Sequence, residues 1–170
     1  MLTLDDLTLL ERHLLTLVYC LTGRMEDMGA QLEQRGIFDH YRAIHQAYAQ
    51  LSSAQTDQEA LKRALFIQWY SLAEPSCFTG IGLLDAEAEL LVLTQLDALL
   101  QTGTADAELV TMLQYYAYWD YAFNRAEFQH LVTLQTCIRE YMGANVCPTA
   151  PPLRIHDMPN RGQMGFYWLT

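Results

Sequence analysis

Apolar residues recur every three or four positions through most of the chain, the spacing that puts them on one face of an α-helix. The first stripe, Leu10, Leu14, Leu17, Val18 and Leu21, starts at about Leu7, with Asp5 or Asp6 to cap it and Gly23 to stop it. A short segment over 25–34 ends at Gly36, and a third helix over 38–51 carries Tyr41, Ile44, His45, Tyr48 and Leu51. After a turn over 52–56, Asp57 stands as the N-cap of a fourth helix with Leu61, Leu65, Gln68, Trp69 and Leu72 along one stripe, ending before Pro75. The loop over 75–84 is apolar and carries Gly80 and Gly82, so it is expected to tuck against the body.

Asp85 opens a fifth helix, with Leu90, Leu93, Leu96 and Leu100 in register and Gly103 at its end. Asp106 and Glu108 open a sixth, which the pattern extends to about Phe123. Asn124 with Glu127 forms a capping-box signature for a seventh, closed by Gly143. Residues 144–170 change character: Pro148, Pro151, Pro152 and Pro159 interrupt any period, which predicts a non-helical tail anchored by Phe166 and Trp168. The expected fold is all-α. A compact bundle of about six to seven mostly antiparallel helices occupies residues 1–143, and an extended, proline-containing tail over 144–170 packs on the same domain.

Composition supports a single core: 170 residues, 51 % hydrophobic and 18 % charged, suit one ordinary domain and exclude a disordered chain. No apolar run is long enough for a membrane-spanning helix, and Arg12 and His13 interrupt the first one. The start lacks the basic, small-residue pattern of a secretory signal. Cys20, Cys77, Cys137 and Cys147 show no zinc-ligand spacing, so reduced, mostly buried thiols and a cytoplasmic location are expected.

The charge is unevenly spread. Residues 1–63 hold nine acids and six bases, residues 64–124 hold eight acids and no Lys or Arg, and residues 125–170 hold three acids and four bases. A base-free middle third in a chain of net charge −10 repels nucleic acid and anionic lipid and favours a basic protein partner.

Candidate chemistry is sparse. Glu127 and His130 form an E-x-x-H, but a di-iron bundle needs a second such pair, which the sequence lacks. Cys77 has no neighbouring base to lower its pKa, and Gly80-Ile81-Gly82 lacks the lysine of a phosphate loop. No catalytic residue, metal or cofactor is assigned, and the chain is not expected to be an enzyme. The alternative is a ligand- or metal-binding bundle in which His130, His45 and Asp120 converge.

The sixth helix is unusual, with five aromatic residues between Tyr115 and Tyr121, four of them tyrosines. A helix apolar all round is either central or covered by a partner. Asp120 lies among these rings and needs a cation or hydroxyl partner, for which Arg125 and the tyrosines are available. The expected function is therefore a protein–protein interaction module. Its basic partner would meet a face of the fifth and sixth helices bearing Asp85, Glu87, Glu89, Asp97, Asp106, Glu108, Tyr116 and Asp120. In size, acidity and helical class the chain resembles in outline the immunity proteins that neutralise bacterial toxins, which implies an inhibitor of that kind. Homo-oligomerisation through the sixth helix is the blander alternative.

Overall fold

The fourth helix is the centre of the molecule: residues 60–69 are all buried, Lys62, Arg63 and Gln68 included. The computed structural model describes residues 2–54, 58–143 and 158–169, with Asp120 by its backbone alone, and among these all regular structure is helical. The helices are α1 (Leu4–Tyr19), α2 (Met25–Gln34), α3 (Ile37–Ala54), α4 (Glu59–Ala73), α5 (Ser76–Thr79), α6 (Ala86–Thr102), α7 (Ala107–Tyr116), α8 (Val132–Gly143) and α9 (Gly162–Leu169). α3 packs against α4 and α6, α8 against α6, and α9 against α1 and α4. Trp69, Phe66, Tyr41, Tyr48, Tyr116 and Phe123 are the large side chains sealed between them.

The predicted helices are present, with differences that have physical causes. Thr3, rather than Asp5 or Asp6, caps α1, and Asp6 completes a capping box by accepting the Thr3 N–H at 2.9 Å. α3 continues through residues 52–54, expected as a turn. Asp57 lies outside the described residues. The loop after Pro75 winds one short helix and does tuck in: Thr79 and Ile81 are buried, and Gly80 turns at φ 73° against Val18, Ile37 and Tyr41, where a Cβ would sit 2.7–3.1 Å from their side chains.

Two expectations fail. The sixth helix stops at Tyr116 instead of running to Phe123. A bundle this size cannot cover a helix aromatic on every side, and breaking it into a 3-10 turn over Asp120–Ala122 buries Ala122 and Phe123 while Tyr118 and Tyr121 face outward. Asn124 and Glu127 then cap nothing. Asn124 accepts from the Gln129 amide at 2.9 Å, Glu127 pairs with Arg125, and α8 begins only at Val132.

The tail is the second failure. Its end, expected to be non-helical, forms α9, whose first turn is held by charge from elsewhere in the chain. The Glu11 carboxylate of α1, buried, accepts the Gln163 N–H at 2.8 Å and the Tyr48 hydroxyl at 2.5 Å. Gly162 passes so close that a Cβ would lie 2.3 Å from Glu11 Oε1. Met164 is the most buried apolar side chain of α9, while Phe166, an expected anchor, stays 45 % exposed against Tyr19; Trp168 does pack, 4.8 Å from the Tyr115 ring.

The main fastening is Arg161, 4 % exposed, which forks between Glu59 of α4 (2.6 and 2.9 Å) and Glu108 of α7 (2.7 and 3.0 Å). Lys62 reaches Glu108 and Asp106 at 2.7 Å each, and Arg63 reaches Glu59, Thr8 and the Asn160 carbonyl. Burial alone would raise the Glu108 carboxyl, but hydrogen bonds from Arg161 and Lys62 outweigh it and hold its pKa at about 2. Arg161→Met, which removes a buried cation from two partly buried carboxylates and leaves Glu59 to Arg63 and Glu108 to Lys62, is expected to cost about 3 kcal/mol in urea unfolding. Arg42→Ala, which removes only the surface pair with Asp39, should change stability by less than about 1 kcal/mol in the same measurement.

Candidate functional site

Most of the acids expected on a partner-binding face are committed inside the protein. Asp85 and Asp106 cap α6 and α7, accepting the Ala88 and Leu109 N–H groups at 2.9 and 2.8 Å. Glu89 is buried and pairs at 2.9 Å with Arg125, which also meets Glu127 at 3.3 Å. Asp97 accepts the Leu134 N–H at 2.7 Å and thereby caps α8 from α6. Glu108 serves Arg161 and Lys62, and Tyr116 is fully buried, stacked on Trp69 at 4.5 Å. Glu87 is the expected residue that stands exposed; the side chain of Asp120 lies outside the described residues.

The alternative pocket does not form among the described residues. His45 is sealed between α3 and its neighbours with no hydrogen-bond partner at either ring nitrogen, whereas His130 is exposed on the turn before α8. No three His, Cys, Asp or Glu side chains among the described residues converge as metal ligands. Cys77 is buried as expected, Cys20 is exposed because it falls at the end of α1 instead of within it, and Cys147 lies outside the described residues.

The structure does assemble an aromatic site that periodicity did not reveal. Trp69 of α4 is its hub: besides stacking on Tyr116, it meets Trp119, Tyr115 and Tyr167 edge-on at 5.4–5.8 Å. Tyr167 of α9 joins Tyr70 at 5.2 Å, and its hydroxyl shares a hydrogen bond with that of Tyr115 at 2.8 Å. The cluster reaches the surface at Tyr118, 66 % exposed, and at Tyr121, whose hydroxyl donates to the Leu72 carbonyl at the end of α4.

Glu74, at the C-terminus of α4, is exposed and has no cation within ion-pair distance among the described residues. Its charge is felt across the rings. Burial first, and then Glu74, pushes the Tyr70 hydroxyl up to about 12 and raises that of Tyr121, while that of Tyr167 is raised by burial, then by its hydrogen bond with Tyr115, with Glu74 a lesser cause. A carboxylate beside partly exposed aromatic faces is the chemistry that receives an arginine or lysine, through an ion pair and cation–π contact together. The sequence did carry a signal: tyrosines at 70, 115, 118, 121 and 167. What brings them together is the break after Tyr116 and the docking of α9.

Fold and site together define an all-α helical protein with an acid-bearing aromatic face. No protein-family model, curated protein or solved structure matches the chain. No helix among the described residues is long and apolar enough to cross a membrane.

His45 generates a pH prediction. Burial drives its pKa down from 6.5 to about 4, against the upward pull of Asp85 and Gln68. Between those values the unfolded chain binds a proton that the folded chain refuses, so stability falls as pH drops from about 6.5 to about 4, by on the order of 3 kcal/mol. The stability held by the depressed Glu59 and Glu108 carboxylates begins to be lost as pH falls through the ordinary carboxylate range and goes on being lost below it, while Glu11, raised by burial, works in the opposite sense. Chemical denaturation across this range should show the upper component in the wild type and lose it in His45→Gln.

Proposed function

We propose that the protein is a binding protein for a basic protein partner, received on the aromatic face around Glu74 rather than on the acids of α6 and α7. The observation that carries this reading is the unpaired Glu74 carboxylate set among partly exposed tyrosines, in a chain of net charge −10. Tyrosine and tryptophan bury large rigid area at low entropic cost, and such residues dominate the energetics of interfaces.

The distribution of bases strengthens it. Lys62, Arg63 and Arg161 are consumed in buried ion pairs, and Arg42 and Arg125 in further pairs. Among the described residues, the surface acids that remain act against few free cations, and this steers a basic partner toward the molecule. A toxin-neutralising inhibitor of the immunity type is the form of binding protein that this size, acidity and helical class suit, by analogy of outline alone.

The test is affinity capture from lysate of the source organism, followed by purification of the captured protein and measurement of its Kd against variants. A basic partner whose binding weakens with salt, and weakens about thirtyfold in Glu74→Gln and in Tyr118→Ala, would support the reading, that factor being the hot-spot scale of about 2 kcal/mol. Glu87→Gln should leave Kd unchanged. A partner indifferent to Glu74→Gln and Tyr118→Ala would refute the placement, and an acidic partner would refute the reading itself.

A further inference from the structure

A cleft of about 310 Å³ opens between α1 and α3, on surface that the aromatic face does not use. Its floor is aliphatic: Leu10, Leu14 and Leu17 from α1 face Ile37 and Ile44 from α3. Leu10 remains 44 % exposed there, which a chain with a well-filled core has no internal reason to maintain. The volume lies at the lower end of the roughly 300–1,000 Å³ of small-molecule sites.

The polar side chains of the cleft are one guanidinium, Arg35, and two imidazoles, His13 and His40, and among the described residues no carboxylate lines it. Arg35, at the turn between α2 and α3, is exposed and meets no carboxylate in ion-pair range among the described residues. Of the nearest acids along the chain, Asp39 pairs with Arg42 and Glu11 serves Tyr48 and Gln163, while Glu33, two residues before Arg35, is exposed and stands outside the cleft lining. A protein of net charge −10 thus presents here an aliphatic trough whose rim carries the Arg35 guanidinium and two imidazoles.

We infer that this cleft binds a medium-chain aliphatic carboxylate, its hydrocarbon laid along the leucine and isoleucine floor and its head group met by Arg35 with His13 and His40. Each part of such a ligand has its counterpart. Hydrocarbon replaces water over Leu10, Leu14 and Leu17, and a guanidinium offers a carboxylate two parallel hydrogen bonds.

Calorimetric titration of the whole protein with decanoate, hexanoate and decylamine tests the inference, alongside Arg35→Gln and Ala43→Trp. Ala43 lines the cleft and is exposed, so a tryptophan there fills the cleft without entering the core. Decanoate should bind saturably at one site, hexanoate weaker by about fourfold per missing methylene, and decylamine at least tenfold weaker than decanoate. Arg35→Gln should weaken decanoate about tenfold, and Ala43→Trp, checked for unchanged circular dichroism, should abolish it. Glu74→Gln should bind decanoate as the wild type does, which keeps this site separate from the aromatic face. Absence of saturable decanoate binding, equal binding of decylamine, or undiminished binding to Ala43→Trp would each overturn it.

Discussion

Arg161 sits where an isolated charge could not survive. It is sealed at the junction of α4, α7 and α9, and its guanidinium is tolerated because Glu59 and Glu108 present four carboxylate oxygens within hydrogen-bond distance. The dependence is mutual: without Arg161, two partly buried carboxylates would share only Lys62 and Arg63, and α9 would lose its chief tie to the bundle. Lys62 and Arg63 extend the network along α4, which explains how the helix at the centre of the core carries cations within its buried stretch. The energetic weight lies in the geometry, since a buried pair is worth little in net terms but costly to break.

The same economy appears at helix ends. α8 and α9 lack a capping residue of their own, and each borrows a carboxylate from a distant helix: Asp97 of α6 for α8, Glu11 of α1 for α9. Orphan N–H groups at a helix start must find acceptors, and a buried start finds them in tertiary neighbours. These acids look like free surface charge in the sequence. In the folded chain they are structural, and the bases buried around Arg161 are no longer present outside to neutralise the remainder.

What reaches solvent is thus a selected subset. The aromatic run that periodicity assigned to one helix is split, part of it sealed around Trp69 and part turned outward beside Glu74. Elsewhere, a cleft between α1 and α3 leaves an aliphatic trough rimmed by Arg35, His13 and His40. Two surfaces of different character thus lie on one small domain.

The sequence by itself determined the helical class, the bounds of α2, the caps of α6 and α7 and the glycine stop after α6, because these depend on side-chain period and on contacts within three or four residues. The inward packing of the loop after Pro75 was legible for the same reason, from its apolar content. Tertiary structure alone decided which helix is central, where the sixth helix breaks, that Gly162–Leu169 form a helix, and which acids are free. Each of these turns on partners far apart in sequence, Arg161 with Glu59, Glu11 with Gln163, Asp97 with Leu134, and local pattern has no access to a contact whose two halves are set by the fold.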